Sequence, residues 1–137
     1  MGAVHAKVKL TNAIDDALVS RGLLAPRLLR ELQTEALVDT GSVYLVITQD
    51  IVKHLGLRIV GKQAVRYADG REENVGVTEP FFIECNGRRT AEDAVVTGDG
   101  VLIGQVVLEK LDLVVDCKNQ QLIPNPANPD YSITYIK

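Results

Sequence analysis

Residues 36–47 read Ala36-Leu37-Val38-Asp39-Thr40-Gly41-Ser42-Val43-Tyr44-Leu45-Val46-Ile47: an apolar strand delivers one carboxylate into a tight turn before a second apolar run begins. With Leu37 and Val38 on one side and Leu45, Val46 and Ile47 on the other, Asp39 is expected to sit deep in a core, where desolvation disfavours its charged form. A buried acid of that kind is a candidate site. Gly41 lets backbone amides approach the carboxylate, and the hydroxyls of Thr40 and Ser42 can bond nearby groups and hold the turn.

Downstream of this turn the punctuation is regular. Thr48 can cap a short helix through Asp50, Ile51, Val52 and Leu55, with Gly56 at the position that commonly ends one, and extended chain resumes at Leu57 to Val60. Residues 62–77 read as two strands around Asp69-Gly70, a hairpin whose tip is unusually polar for something folded into a core. Pro80 to Cys85 and Thr90 to Thr97 flank Asn86-Gly87, the pair best suited to a two-residue hairpin. In Gly98-Asp99-Gly100-Val101-Leu102-Ile103-Gly104 the glycine spacing does not match a dinucleotide fingerprint, and no Lys-Ser or Lys-Thr follows as in a phosphate loop. Leu102 and Ile103 are expected to pack beneath the Asp39 turn, with Gly104 permitting close passage of another backbone. A helix from Gln105 to Leu111 puts Val107, Leu108 and Leu111 on one face. Leu113 to Val115 supplies a strand, Gln121 to Pro129 reads as turn, and Tyr131 to Ile136 alternates as a terminal strand.

Upstream, Val4, Ala6, Val8 and Leu10 alternate with His5, Lys7 and Lys9, the period-two pattern of a half-buried strand ended by Thr11-Asn12. Ala17-Leu18-Val19 fits a short strand or a turn of helix. Pro26 to Leu37 fits a hairpin arm, but Leu28, Leu29 and Leu32 also suit one face of a helix.

At 137 residues with 46% hydrophobic content the chain is one domain, 1–137, with room for a sizeable core but not for two. A net charge of −3 with scattered basic residues argues against a nucleic-acid partner. No apolar stretch is long enough to span a bilayer, and Met1-Gly2-Ala3-Val4-His5 lacks the regions of a secretion signal. Gly2 invites a lipidation reading, but Ala6 stands where that motif requires Ser or Thr. Cys85 and Cys117 have no His or Cys at metal-ligand spacing, and both are expected as reduced core residues of a cytoplasmic protein. His5 and His54 are isolated, and no metal site is expected.

Asp39-Thr40-Gly41-Ser42, with Leu102-Ile103-Gly104 further on, resembles the two signatures of the aspartic proteases. With one Asp-Thr-Gly instead of two, the chain looks like the retropepsin-like, single-lobe branch, whose members work as homodimers. The resemblance spans about Ala36 to Asp116. It implies an all-β fold, a single-lobe, closed, barrel-like acid-protease fold with one or two short helices, and it implies the strand reading upstream of Asp39. It also implies that the hairpin tip Ala68-Asp69-Gly70-Arg71 is the flap that closes over a bound peptide. The sequence departs from the pattern: Gln105 stands where viral members place a dimer-bracing Arg, Gly70 is the one glycine at the flap tip, Ser42 stands where many single-lobe relatives have Ala, and a long segment precedes the catalytic strand.

The chemistry then fixes the assembly. Peptide hydrolysis by this route uses one carboxylate as general base toward water and one acid to protonate the departing amine, and neither a metal nor a cofactor enters. One Asp39 cannot do both, so two copies are expected to meet at a two-fold axis with their carboxylates sharing one proton, as in the aspartic-protease pair that serves as the standard example. Two other classes fit the residues. One is a catalytically weak or inactive dimeric peptide-binding module on the same fold; the other is an unrelated all-β interaction protein in which Asp39-Thr40-Gly41 is an ordinary turn.

Overall fold

The alternation after Ala3 forms β1 (His5–Thr11), with Val8 and Leu10 buried and His5 and Lys7 exposed. A computed structural model of the chain describes residues 3–136; Met1 and Gly2, with any lipidation at Gly2, and Lys137 lie outside the described residues. Asn12 ends the strand and starts α1 (Ala13–Ser20). Its Oδ1 accepts from the Asp15 amide at 2.9 Å, and its Nδ2 donates to the Leu55 carbonyl at 2.7 Å. This settles the segment as helix: a buried Asn at an N-cap, followed by Asp15 and Asp16 in the first turn, is a helix start. Asp15 in turn accepts from the Arg30 side chain at 2.7 and 3.0 Å, and that guanidinium holds the Asp15 carboxyl below its usual range.

Pro26 opens a single 3-10 turn (Pro26–Leu28), after which the chain runs into β2 (Glu31–Val38), so the extended reading of this stretch holds. Antiparallel pairing with β1 runs from His5↔Leu37 to Thr11↔Glu31, and Leu32, Thr34, Ala36 and Val38 point inward in strict alternation. Beyond the Asp39 turn come β3 (Val46–Ile47) and α2 (Gln49–Leu55), capped by Thr48 Oγ1, which accepts from the Ile51 amide at 3.2 Å, and closed by Gly56 in the left-handed conformation at φ 64°. The two hairpins follow as β4 (Ile59–Arg66) with β5 (Glu72–Thr78), and β6 (Phe81–Cys85) with β7 (Arg88–Glu92). The expected long strand from Thr90 to Thr97 is broken: β7 ends at Glu92 and β8 (Val95–Val96) joins a different neighbour. β9 (Val101–Ile103), α3 (Gln105–Leu111), β10 (Leu113–Asp116) and β11 (Gln121–Pro124) complete the chain.

Nine strands form one curled sheet in the order β4-β5-β8-β3-β9-β2-β1-β6-β7. The all-β class therefore holds. The sheet stays open, with β4 and β7 at its ends, so it is a half-barrel instead of a closed barrel, and among the described residues three α-helices replace the expected one or two. Leu10, Ile47, Leu55, Phe81, Ile83, Ile103 and Leu111 lie fully buried in its concavity and under α2 and α3. Each contributes about 1.5–3 kcal/mol relative to exposure. Cys85 joins this core, where burial pushes its thiol up to about 11, whereas Cys117 is exposed in the β10–β11 turn and is not the core residue expected; both are free thiols. Among the described residues no helix is long and apolar enough to cross a membrane.

The C-terminal expectations are reversed. Gln121–Pro124 is a strand, because Asp116 Oδ1 accepts from the Lys118 and Asn119 amides and folds the chain back on β10 with Leu122 buried. Tyr131 to Ile136, despite its alternation, is not a strand, and Tyr131, Tyr135 and Ile136 are 69, 85 and 90% exposed; an alternating segment with no ladder partner remains unpaired chain. Asp112, in the left-handed conformation at the end of α3, docks this terminal segment. Its carboxylate accepts from Asn125 Nδ2 at 3.0 Å, Asn128 Nδ2 at 2.6 Å and the Ile133 amide at 3.2 Å, while buried Arg88 donates to the carbonyls of Leu111, Asp112 and Asn128. The bonds from Asn125 and Asn128 hold the Asp112 carboxyl below its ordinary value. A group lowered on folding adds stability above its ordinary value and loses it as pH falls through the lowered one. Asp112→Asn, which tolerates the left-handed backbone, is thus expected to lower the melting temperature by a constant amount above that ordinary value and to approach the parent in stronger acid. A difference that persists unchanged into strong acid would remove the carboxylate from this role.

Candidate active site

The Asp39 turn sits where three strands meet. β9 lies between β2, to which it is parallel (Leu37↔Leu102, Val38↔Ile103), and β3, to which it is antiparallel (Val46↔Leu102). The strands on either side of the turn are thereby wedged apart by a segment more than fifty residues later in the chain. The Asp39 amide donates to the Ile103 carbonyl at 2.9 Å, which anchors the turn to β9. Within the turn Oδ1 accepts from the Gly41 amide at 2.9 Å and Oδ2 from Ser42 Oγ at 3.0 Å, so each carboxylate oxygen has one donor and the head group cannot rotate freely. Asp39 is half-buried and Thr40 and Gly41 are exposed. The expected deep burial is wrong for the single chain: Leu45 and Ile47 go into the core, but Leu37, Val43 and Tyr44 are exposed, and the turn itself emerges at the end of the central strands.

Gly104 explains how the turn is supported from below. A Cβ there would lie 2.6 Å from the Ser42 carbonyl oxygen, 2.7 Å from that of Tyr44 and 2.7 Å from the Val43 carbonyl carbon, all backbone. At this distance the first amides of α3, which have no intrahelical acceptor, reach the turn: Gln105 N donates to Ser42 O at 2.7 Å and Val106 N to Val43 O at 3.1 Å. Leu102 and Ile103 divide by strand alternation, with Ile103 fully buried and half-buried Leu102 lining a cleft on the opposite face.

That cleft has a volume of about 590 Å³, within the range of ligand pockets, and is mostly apolar. Gly41, Ser42 and Leu102 line it together with Leu37, Val43, Tyr44, Val46, Val95 and Val101. Its other wall is the hairpin arm Gln63 to Tyr67. The tip residues Ala68, Asp69, Gly70 and Arg71 are exposed and lie beyond it. Gly70 takes the positive φ of 87° that the turn needs, Asp69 Oδ1 accepts from the Arg71 amide at 3.0 Å, and the Tyr67 amide donates to the Arg71 carbonyl at 2.8 Å. On the opposite side of the turn Thr40 borders a second groove with Gln105, Leu108, Asp112 and Leu113 to Val115.

Sequence reasoning missed Tyr67 and Thr97, which meet across the cleft, hydroxyl to hydroxyl, at 2.7 Å. A signal was present for the first, since Tyr67 is the one aromatic residue in the β4–β5 hairpin. Nothing local marks Thr97. Among the described residues no group of three or more His, Cys, Asp or Glu side chains is placed to hold a metal. No protein-family profile matches the chain, and no curated protein does. What the site can do follows from its own geometry.

Proposed function

We propose that the chain is one half of a homodimeric, retropepsin-like aspartic endopeptidase that hydrolyses peptide or protein substrates with an Asp39 dyad. The observation that carries this reading is the Asp39 carboxylate itself, fixed by Gly41 and Ser42 on an exposed turn beside a mostly apolar cleft. A carboxylate in this position can activate water, but one chain provides one, and the exposed Thr40 turn is where a second copy can bring its equivalent. In the dimer the ionised Asp39 takes a proton from water while the protonated one donates to the scissile carbonyl; the roles exchange as the tetrahedral intermediate collapses, with no covalent intermediate. With Cys85 and Cys117 both free, a reducing compartment such as the cytoplasm suits the protein.

Because the two carboxylates titrate as a unit, the rate is expected to be bell-shaped in pH with its optimum on the acid side of neutral, both limbs belonging to the pair. Incubation with an unfolded protein substrate from acid to neutral pH, read by mass spectrometry with and without a statine-containing inhibitor, tests this. A rate that climbs steadily into alkaline pH sinks the carboxylate mechanism. The short polar tip, with Gly70 its one glycine, favours a second reading as a peptide-binding module. A dimer that binds the inhibitor but cleaves nothing at any pH would select it.

A further inference from the structure

The β4–β5 hairpin is joined to the rest of the sheet near its base, through Gly76↔Val96 and Val77↔Val95, and β4 is an edge strand. Outward of that point, among the described residues, one hydrogen bond ties segment 62–74 to the body of the protein: Tyr67 Oη to Thr97 Oγ1 at 2.7 Å. The Tyr67 hydroxyl also donates to Glu73 Oε1 at 3.0 Å. A phenol has one proton and an ionised carboxylate only accepts, so that proton goes to Glu73 and Thr97 must donate to Tyr67. The result is a directed relay, Thr97 to Tyr67 to Glu73, from the loop after β8 into the arm. The Arg71 guanidinium stacks over the Tyr67 ring at 4.4 Å and leaves the hydroxyl aimed at Thr97. Both hydroxyl-bearing side chains line the cleft.

We propose that Tyr67 and Thr97 are positioning residues: their hydroxyl bond fixes the hairpin arm over the cleft and so sets how a substrate is held there. The bond does not close the cleft, whose volume of about 590 Å³ remains beneath the latched arm. The latch thus preorganises the cleft wall, and losing it weakens binding without touching the chemistry at Asp39. This role rests on reading the cleft as the peptide site, but the latch itself can be tested without any cleavage.

The variants are Tyr67→Phe, which keeps the ring and its stacking, Thr97→Val, which keeps the shape, their double, and Thr97→Ser, which keeps the hydroxyl. Backbone NMR order parameters of the intact free protein read the arm directly. Each single removal is expected to drop residues 66–71 from about 0.85 to below about 0.6, with the double no lower and Thr97→Ser like the parent. In peptide cleavage the same variants are expected to raise KM about 2–10-fold with kcat unchanged, as fits the net worth of one hydrogen bond. Order parameters unchanged in both single variants overturn the proposal, as does a double variant far looser than either single. A fall in kcat at constant KM overturns it too, by placing the hydroxyls in the chemistry. If the arm loosens as described but the parent cleaves no peptide, the latch stands and the peptidase reading falls.

Discussion

Asp39→Asn is expected to abolish peptide hydrolysis, by on the order of 10²–10⁴-fold or more, while leaving the dimer intact or tighter. The amide retains the size of the carboxylate; its oxygen can still accept from the Gly41 amide, and its nitrogen, in place of Oδ2, can donate to Ser42 Oγ, whose hydroxyl turns to accept, so the turn has no reason to rearrange. It removes both the base that takes the proton from water and the acid that returns it. It also removes a cost, because two carboxylates facing each other at an interface repel unless a proton is retained between them, and an uncharged pair avoids that at every pH. Sedimentation across a dilution series, beside a cleavage assay, decides both halves. A variant that still cleaves excludes Asp39 as catalyst, and a variant that sediments as a monomer where the parent is a dimer shows that the carboxylates hold the assembly together.

Gly104→Ala is expected to cost about 3 kcal/mol, the upper end for an overpacked site, and to lower the melting temperature by about 10 °C. All three atoms that the new methyl would meet belong to the backbone of the Asp39 turn, so no side chain can swing aside. Relief requires α3 to back away, which breaks the Gln105 and Val106 amide bonds to Ser42 and Val43 and leaves donors at a helix start unpaired. The turn would move with them, and cleavage should fall along with stability. Gly61→Ala is the control, since a Cβ there meets nothing within 4 Å. If the two variants melt together, the close approach at Gly104 has been overestimated.

Much of the fold was legible because its signals are local. Thr48 and Gly56 bracket α2, and Asp69-Gly70 and Asn86-Gly87 each turn a hairpin; in every case the residue type satisfies a backbone conformation or a terminal amide within a few positions. The Asp39 turn belongs to this class too, since Gly41 and Ser42 are the donors its carboxylate uses. Misjudged features depended on neighbours distant in sequence. α1 was ambiguous until the buried Asn12 cap tied it to Leu55, and the alternation of Tyr131 to Ile136 could not make a strand without a partner, whereas Gln121–Pro124 had one in β10. Asp39 was expected to be deeply buried from its apolar flanks, but burial is set by what covers the turn, and in one chain nothing covers Thr40 and Gly41. The chain's own residues thus determined the turn, its carboxylate and the elements around it. The wedge of β9 between β2 and β3, the cleft wall formed by the arm instead of its tip, and the meeting of Tyr67 with Thr97 were decided only in three dimensions, because pairing between segments thirty or more residues apart leaves no mark in the local pattern of either.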